Sequence, residues 1–421
     1  MNSMILFNNK DLTGTMPYKN YNCSIYKLNK QETFSITNKI YNEESILIIF
    51  FVSCPHKRFG TMSWIGIMSY ENLIKLLDNK INNNDNLWFI KPHLLQNDKG
   101  PKCADLRIFK MKENIGVIGY TRVAPYSNTT KISDYYVRAS ILDTRINHEL
   151  YDKPNKLFDF KEIDGGCFPS KIGNNYDKFK IVNDTYKINN IEFCIKDNNN
   201  SKIISPHTSK HNLMPNKMKL NGIEVSFSKI STNEDSETHV STKNIIPLQH
   251  INYLDNIGCF VDLSPPKLDS PIITVQQMIS GEVIYNDKIL INNNFKSKKY
   301  RGSTPFIEIE NDLWITIVHK RVNSIKHAYN IKYDYIIMVF DSKIVNIDNN
   351  EIKLPNKCIQ EYSLNIDNIE KDFIYITGMI ILDKKFDIVN DLVELKELEV
   401  ILSYGISDNK SGISKFRFKI I

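Results

Sequence analysis

The segment Lys102–Arg122 reads K-C-A-D-L-R-I-F-K-M-K-E-N-I-G-V-I-G-Y-T-R, and the architecture of the whole chain can be worked out from it. Two runs of β-branched and aromatic residues flank a polar turn, which is typical of two neighbouring strands. The first run begins with an acid and a base, Asp105 and Arg107, separated by one residue. Because charged side chains are rarely buried without partners, we expect the start of this strand to lie outside a packed core.

The composition is typical of a soluble globular protein, with 42% hydrophobic and 24% charged residues among 421. Lys and Arg number 54 and Asp and Glu number 48, which gives a formal net charge of +6. The basic residues are spread along the chain and form no block that would follow a phosphate backbone. We therefore expect no nucleic-acid partner.

The cysteines and the apolar runs indicate an intracellular protein. Seven cysteines are widely spaced, with no C-x-x-C pair and no histidine close enough to complete a zinc pattern. They predict reduced thiols, and we expect no metal. The longest apolar run, Ile46–Val52, is far too short to span a membrane, and the N-terminus shows no targeting signal. The sequence predicts a cytoplasmic protein without a membrane span and leaves its oligomeric state open.

Short β-branched and aromatic runs recur along the chain and predict a mostly β fold. Helical periodicity is clearest at Ser69–Lys80, where four apolar residues share one face. The predicted strands are S-I-L-I-I-F-F-V (45–52), I-G-V-I-G-Y (115–120), D-K-F-K-I-V (177–182), L-W-I-T-I-V (313–318), Y-D-Y-I-I-M-V-F-D (333–341), F-I-Y-I-T-G-M-I-I-L (373–382) and L-E-V-I-L-S-Y-G (398–405).

A polar or small cluster runs directly into an apolar strand at five places. The intervals between them are about 60 to 80 residues, except for the second, which is about 140. A four-stranded propeller blade needs roughly 40 to 50 residues and tolerates insertions, so each start is interpreted as the innermost strand of a blade. The starts are N-C-S-I-Y-K-L (from Asn22), A-D-L-R-I-F-K (from Ala104), T-K-N-I-I-P-L (from Thr242), R-G-S-T-P-F-I-E-I (from Arg301) and I-T-G-M-I-I-L (from Ile376).

The predicted fold class is all-β, a single five-bladed β-propeller over residues 1–421. The long second interval contains the least hydrophobic part of the chain, so 147–241 is predicted to be a loop-rich insertion or an elaborated blade. The innermost strands of a propeller line its central channel, and their ends converge on one small volume. Asp105 and Arg107 are therefore expected at the mouth of that channel.

Taken together, these starts resemble the five-bladed propeller family of inverting β-mannoside phosphorylases (glycoside hydrolase family 130) and the related β-1,2-mannosyltransferases. Order and spacing agree over nearly the whole chain. The first four starts are similar to the family's N-P-S-I (Asn22–Ile25), E-D-P-R-[LI]-F (Ala104–Phe109), E-K-N-W-x-P-F (Thr242–Leu248) and R-G-G-[ST]-P (Arg301–Pro305). Later matches are a strand-end His (His319), a Tyr-rich strand (333–341), G-G-[LM] (Thr377–Met379) and S-Y-G-x-x-D (Ser403–Asp408).

The chain also departs from the family pattern. Ala104 stands where the family has Glu before the key Asp, and Leu106 where it has Pro. Cys23 likewise replaces a Pro, and Thr242 and Ile245 replace the Glu and Trp of the third motif. Asp105 is retained. A changed sugar specificity and a decayed enzyme would both give this pattern.

Among the polar clusters that open the five starts, Asp105 is the single carboxylate. Hydrolytic glycosidases usually place two carboxylates across the scissile bond. The pattern therefore favours a reaction in which an anionic substrate takes the second role: inorganic phosphate attacking the anomeric carbon, or a nucleotide sugar whose phosphate leaves. No other cofactor is expected. The resemblance implies that Asp105 is the general acid, acting in the family through a sugar hydroxyl.

Basic residues at the ends of the blades suit such an anion, because Arg, Lys and His can bind phosphate oxygens by charge-assisted hydrogen bonds. The predicted substrate- and phosphate-binding residues are Arg107, Lys243, Asn244, Arg301, Ser303, His319, Tyr333 and Asp408. Further candidates are the bases Lys320 and Arg321, with Tyr335 and Tyr404 as walls for a sugar ring.

Each of these residues also has a structural interpretation. Asp105 and Arg107 could form a salt bridge at a strand end, and Arg301–Pro305 could be an ordinary turn. His319 could be a core histidine with satisfied hydrogen bonds, and the tyrosines could be packing residues. The predicted function is inverting glycosyl transfer on a carbohydrate substrate, by a glycoside phosphorylase or a glycosyltransferase acting on a β-mannoside-like sugar. The alternatives are a non-catalytic glycan-binding propeller and a protein-interaction scaffold.

Overall fold

The structure of the chain is a computed structural model, in which contacts divide the residues into two compact units. The first unit comprises Met1–Cys103, Asp143–Leu220 and Ser403–Lys415, and the second comprises Ala104–Leu142, Asn221–Leu402 and Phe416–Ile421. The prediction of one propeller domain over 1–421 stays a prediction. The residues described are 3–7, 19–36, 42–53, 61–78, 88–92, 95–96, 103–112, 114–123, 134–141, 181–182, 185–188, 191–194, 218–219, 223–224, 245–249, 256–263, 270–278, 280–291, 300–309, 312–323, 331–364, 374–389, 392–406 and 410–419.

Strands make up most of the described part, which confirms the predicted β-rich class. Two short helices accompany them, α1 (Lys30–Ile36) and α2 (Tyr70–Leu77). The second lies within the predicted helix Ser69–Lys80, whereas the first was not predicted. The strands of the first half are β1 (Ser3–Phe7), β2 (Lys19–Leu28), β3 (Ser45–Ser53), β4 (Thr61–Ser69), β5 (Trp88–Pro92), β6 (Leu95–Gln96), β7 (Cys103–Lys110), β8 (Ile115–Val123), β9 (Asp134–Ile141), β10 (Ile181–Val182), β11 (Thr185–Ile188), β12 (Ile191–Cys194), β13 (Met218–Lys219) and β14 (Ile223–Glu224).

The second half of the chain contains the longest strands. They are β15 (Ile246–Gln249), β16 (Ile257–Asp262), β17 (Ile272–Gln277), β18 (Val283–Lys288), β19 (Arg301–Gly302), β20 (Phe306–Ile309), β21 (Leu313–Asn323), β22 (Ile331–Ile347), β23 (Asn350–Leu364), β24 (Ile374–Val389), β25 (Leu392–Ile406) and β26 (Lys410–Lys419).

Most of the described strands pair in groups of four. The first unit contains the antiparallel group β2-β3-β4-β5, and the second contains β14-β9-β8-β7. Also in the second unit, β18-β17-β16-β15 continues into β20-β21-β22-β23 through a parallel pair, in which Leu248 lies opposite Phe306. A further order is β1-β26-β25-β24. Smaller pairings are β10-β11-β12, β13 with β6, and β19 with β21.

Most of the predicted blade starts lie on, or directly before, the strand that comes first along the chain in its group. The exception is β24, since β1 precedes it in the group β1-β26-β25-β24. Asn22 lies in β2, Ala104 in β7 and Ile376 in β24, while Arg301 opens the short β19 directly before β20. Ile246 opens β15, and residues 242–244 of the same start lie outside the described residues. This agreement supports the strand assignments. The number of blades and their arrangement about one axis stay predictions.

The predicted insertion 147–241 is described only in part. The described pieces are β10 to β14, which are short strands of two to four residues. The other residues of 147–241 lie outside the described part, so the insertion stays a prediction.

Apolar packing fixes β7 in the second unit. Phe109 on this strand meets Phe260 on β16 edge to face, with ring centroids 5.5 Å apart. The two rings belong to a buried cluster that also includes Met111, Ile118, Ala139, Ile245 and Met278. The Gln249 side chain donates a hydrogen bond to the carbonyl of Ile108 at 3.3 Å. The residues of β7 that directly follow Asp105 and Arg107 are therefore fixed by packing and by this hydrogen bond.

A larger core lies under β15–β23 in the same unit. Trp314, Phe306 and Phe340 are among its buried members, and the two phenylalanine rings are 5.1 Å apart. The long hairpin of β22 and β23 turns through Asp348 and Asn349, which both have positive φ values, 50° and 63°. Two left-handed residues between paired strands are the geometry of a type I′ turn, which Asn and Asp favour.

In the first unit, β2 contains a bulge at its predicted blade start. Its pairing with β3 shifts between Tyr21 and Ser24, and Asn22 within the shift has a φ of 55°. The backbone of Gly405 lies so close that an added Cβ would be 2.8 Å from the Asn22 nitrogen. Next to it, the Cys23 thiol lies 3.5 Å from the carbonyl oxygen of Gly412. Tight packing thus surrounds this strand start.

Candidate functional site

Strand β7 carries the predicted catalytic residue on an unusual backbone. Asp105 is half-buried and has a φ of 51°, in the left-handed region that residues other than glycine rarely adopt. Among the described non-glycine residues with positive φ, Asp105 and Asn22 lie inside strands, and the others lie in turns or directly before strands. Such a conformation costs roughly 1–3 kcal/mol and persists where the surroundings enforce it.

The Arg107 guanidinium supplies part of that constraint. Its side chain is only 1% exposed, and its Nη1 donates a hydrogen bond to the carbonyl of Asp105 at 3.0 Å. The Nε donates to the carbonyl of Ser303 at 2.7 Å. The Nη2 donates to the carbonyl of Gly302 at 3.3 Å and to the Tyr375 hydroxyl at 3.2 Å. Arg107 therefore ties the start of β7 to the turn before β20 and to β24.

That turn is itself fixed by the neighbouring strand β21. Arg301 lies opposite His319 in the antiparallel pair of β19 and β21. The backbone N–H groups of Ser303 and Thr304 both donate to the carbonyl of Ile317, at 3.1 and 3.2 Å. Cross-strand partners project to the same face of a sheet, so Arg301 and His319 share a face.

His319 is buried and uncharged. Its side chain is 3% exposed, and its Nδ1 lies 2.7 Å from the Ser303 hydroxyl. Burial lowers the pKa of His319 to about 3, with further lowering from the positive charges of Arg107 and Arg301. Burial disfavours the charged imidazolium, and two nearby cations oppose a third. His319 is therefore a neutral hydrogen-bonding group at physiological pH.

Three tyrosines surround this imidazole. The ring centroids of Tyr333 and Tyr375 lie 5.2 and 5.1 Å from that of His319, and that of Tyr335 lies 6.3 Å away. The Tyr335 hydroxyl donates to the carbonyl of Ile374 at 2.5 Å. Tyr335 and Tyr375 are buried, whereas Tyr333 is half-buried. Tyr333 is thus the most accessible of the three rings.

The charge of Asp105 reaches the same group of residues. Burial raises the pKa of Tyr375, and the Asp105 carboxylate raises it further, while the positive charge of Arg107 lowers it. Asp105 and Arg107 thus act on Tyr375, just as Arg107 and Arg301 act on His319. In the second unit, Tyr375 thus connects Asp105 with the residues around His319, because Asp105 acts on its pKa and its ring lies 5.1 Å from that of His319. We call these residues the site cluster: Asp105, Arg107, Arg301, Ser303, His319, Tyr333 and Tyr375.

The site cluster contains six residues that the sequence predicted as functional, although their roles stay predictions. Tyr375 was missed. Its signal was its position one residue before the fifth predicted blade start, Ile376, in the middle of an apolar run. Lys243, Asn244 and Asp408 lie outside the described residues.

Tyr404, predicted as a wall for a sugar ring, lies in the first unit. It is 1% exposed, and its hydroxyl is 2.5 Å from that of Ser414. The alternative interpretation of this tyrosine as a packing residue agrees with that burial.

The described residues show neither a set of metal ligands nor a helix that could span a membrane. In the described part, no three His, Cys, Asp or Glu side chains come together as a set of metal ligands. Neither described helix has the length and apolar composition that crossing a membrane requires.

Solved structures with a similar chain path are named for reactions on carbohydrates. One is a structure of the GH130 family of mannoside phosphorylases, a family that contains glycoside hydrolases that target β-1,2 mannosidic linkages in Candida mannan. Its TM-score is 0.42 at 8% identity, and the match covers 98% of this chain and 90% of the other. A candidate glycoside hydrolase from Parabacteroides distasonis has a TM-score of 0.38 and 10% identity, with 95% and 87% covered. An N-acetylgalactosamine deacetylase from F. plautii has a TM-score of 0.34 and 7% identity, with 96% and 90% covered.

No protein-family model and no curated protein matches the chain. Because the TM-scores of the similar structures are low, the function proposed next rests on the residues of this chain and on their geometry.

Proposed function

We propose that this protein is a carbohydrate-active enzyme that transfers a glycosyl group with inversion. The reaction is phosphorolysis of a β-mannoside-like linkage, or the reverse transfer from an activated sugar. The observation that supports it is the site cluster, in which half-buried Asp105 and neutral His319 both lie near Tyr375, and exposed Arg301 lies near His319. A sugar and an oxyanion are the two ligands that such a set of groups suits.

Asp105 is the proposed general acid. A phosphate oxygen attacks the anomeric carbon, the glycosidic C–O bond breaks, and the proton of Asp105 passes to the leaving oxygen, directly or through a sugar hydroxyl. The products are a sugar 1-phosphate and a shortened acceptor. A positioned general acid contributes roughly 10²- to 10⁴-fold to the rate.

Arg301 and His319 are the proposed anion ligands. Arg301 is exposed and carries a permanent positive charge, so it can attract the phosphate and bind two of its oxygens. His319 adds a neutral donor beside it. Fixed donors hold the attacking phosphate in line with the anomeric carbon, and such preorganised groups are often a large contribution to the rate. Tyr333, half-buried next to His319, is a suitable wall for the sugar ring.

Arg107 receives a different role in this proposal. The sequence predicted it as a phosphate ligand, but its guanidinium is buried and donates to three carbonyl groups and one hydroxyl of the protein. We assign Arg107 to positioning: it holds the backbone of Asp105 and the turn that carries Arg301.

The test combines ligand binding with turnover. The purified chain is screened by thermal shift against inorganic phosphate, GDP-mannose and simple mannosides, because a ligand at 100 times its Kd stabilises by about 2.7 kcal/mol. Sugar 1-phosphate release is then measured with and without phosphate. In Asp105→Asn we expect turnover to fall roughly 10²- to 10⁴-fold while phosphate binding is kept, since the amide cannot donate a proton as an acid does.

The matched control is Asp334→Asn, an exposed aspartate on the strand that carries Tyr333, which should leave turnover unchanged. Sugar binding that is equal in wild type and Asp105→Asn, with no turnover in either, would establish the glycan-binding alternative. If neither phosphate nor sugar changes the melting temperature, the result contradicts the proposed enzyme and favours the scaffold alternative.

A further inference from the structure

The backbone that carries the Ser303 hydroxyl is fixed, and the hydroxyl has one hydrogen-bond partner among the described residues. Its backbone is held on both sides, since its N–H donates to Ile317 and its carbonyl accepts from Arg107. The side chain is fully buried, and its Oγ lies 2.7 Å from Nδ1 of His319. Among the described residues, Nδ1 of His319 is the hydrogen-bond partner of this hydroxyl.

Two arrangements of hydrogen atoms fit that distance. Ser303 can donate to an unprotonated Nδ1, or it can accept from a protonated one. In the second arrangement the buried O–H of Ser303 has no acceptor in the described part of the chain, which carries a penalty of about 1–3 kcal/mol. In the first arrangement the O–H is satisfied. The single proton of the neutral ring then lies on Nε2.

The Nε2 atom is left available in this arrangement. Within the described ranges it has no hydrogen-bond partner, although His319 is buried and its Nδ1 is occupied. Nε2 is not among the described polar atoms that are both fully buried and without a partner, so it keeps some exposure and can be reached by an acceptor from outside. Arg301, which lies opposite His319 in the strand pair, would draw a negatively charged acceptor to this place.

We propose that Ser303 is a positioning residue that holds His319 as the Nε2–H tautomer, so that this N–H donates to an oxygen of the anionic substrate. Ser303 itself does not contact that anion. This inference rests on the proposed function for the identity of the acceptor, whereas the tautomer is a property of the free protein. The anion is then bound by one permanent cation, Arg301, and one neutral donor whose direction the serine sets.

The first test measures the tautomer directly. Nitrogen NMR on the full chain with isotope-labelled histidine distinguishes protonated from unprotonated ring nitrogens, and the His319 signals are those that vanish in His319→Gln. We expect a protonated Nε2 and an unprotonated Nδ1 in the wild type. In Ser303→Ala, where the hydroxyl donor is absent, a mixture of the two tautomers is expected. A protonated Nδ1 in the wild type would overturn the proposal.

The second test measures the consequence for binding, by calorimetry with inorganic phosphate. We expect Ser303→Ala to weaken phosphate binding about tenfold, because the donor is no longer held toward the anion. Ser303→Thr keeps a hydroxyl and should restore most of the affinity. Unchanged affinity in Ser303→Ala contradicts the positioning role. The melting temperature of each variant shows that it is folded at the temperature of the titration.

The two tests separate the inference from the function on which it rests. If the wild type binds no phosphate but shows Nε2–H at His319, the proposed function fails and Ser303 still fixes the tautomer. If phosphate binds and the ring carries its proton on Nδ1, the function stands and the role of Ser303 is wrong.

Discussion

The starts of β2 and β7 share a left-handed residue within the strand, but different interactions enforce it in each. Asn22 and Asp105 both have left-handed φ values inside a strand, 55° and 51°. Asn22 is buried, and the backbone of Gly405 packs against it. Asp105 is half-buried, and the Arg107 guanidinium bonds its carbonyl. One start is thus enforced by close packing and the other by charge-assisted hydrogen bonds.

The difference shows why only one of the two strand starts is a candidate for chemistry. Close packing around Asn22 excludes a ligand from the space beside it. A hydrogen bond to the carbonyl of Asp105 fixes the backbone and leaves the carboxyl group half-accessible. A strained backbone persists only where neighbouring groups enforce it. At Asp105 the enforcing group is the Arg107 guanidinium, which bonds the backbone carbonyl and not the carboxyl group.

The largest effect on stability is expected for Arg107→Met. The substitution keeps an apolar stem but removes four hydrogen bonds and leaves the carbonyls of Gly302 and Ser303 without those donors. Loss of such a buried polar partner should lower the free energy of unfolding by about 3–5 kcal/mol. Denaturant unfolding followed by circular dichroism measures it.

Arg417→Met is the control for Arg107→Met, because Arg417 is exposed and pairs with Glu399 on the surface. It should change stability little. Equal effects of the two substitutions would mean that the hydrogen bonds of Arg107 do not hold the start of β7.

A smaller effect is expected for Gly405→Ala in the other region. A Cβ at this position would lie 2.8 Å from the backbone nitrogen of Asn22, so one of the two strands must shift. Overpacking of this kind costs about 1–3 kcal/mol. Thermal unfolding of Gly405→Ala, Asn22→Gly and the double variant forms a cycle. Asn22→Gly removes the side-chain amide that also lies close to Gly405, so Gly405→Ala should lower the free energy of unfolding by less in that background. Purely additive effects on the free energy of unfolding would contradict this contact.

The third comparison distinguishes the two regions by pH. Asn22 and Gly405 carry no ionisable group, whereas the pKa of His319 is lowered from 6.5 to about 3 by burial and by the charges of Arg107 and Arg301. Below pH 6.5 the unfolded chain binds a proton that the folded chain does not bind. Stability should therefore fall by about 1.4 kcal/mol for each pH unit between the two pKa values, as the pH is lowered.

The pH effect of His319 is isolated by comparison with His319→Gln, which lacks the titrating ring. Denaturant unfolding between pH 7 and pH 4, with both proteins in the same buffers, should give a steeper loss for the wild type. Parallel curves would show that His319 is accessible to protons in the folded protein.

The sequence predicted the strands and their starts because both depend on local patterns. Alternation and β-branched runs located β3, β8, β21 and β22, and polar clusters marked the residues before apolar strands. The same clusters placed Asp105 and Arg301 among the candidates, and His319 was chosen because it directly follows the predicted strand 313–318. Each of these signals lies within about ten residues of the position that it describes, which is the range over which sequence patterns are informative.

The hydrogen bonds of Arg107 and Tyr375 could not be predicted from local patterns. Arg107 was assigned to a ligand because an arginine beside a carboxylate at a strand end has no local feature that shows burial. Its acceptors are carbonyl groups, which every residue has, so no residue type marks them. Tyr375 stands in an apolar run and looks like a packing residue until the fold brings its hydroxyl to Arg107. Helix α1 was missed because it is only seven residues long and has no apolar face, since Thr33 is buried and Phe34 is exposed.

The hydrogen bonds of Arg107 also determine when the candidate site can assemble during synthesis. Its acceptors on Gly302 and Ser303 lie 195 and 196 residues further along the chain, and Tyr375 lies 268 residues further. At ribosomal rates the last of them is made roughly 10 to 50 seconds after Arg107. Contacts of such long range form slowly, so a nascent chain carries this guanidinium without these acceptors at least until Tyr375 has been made. Competence of the site would then report that synthesis has passed Tyr375.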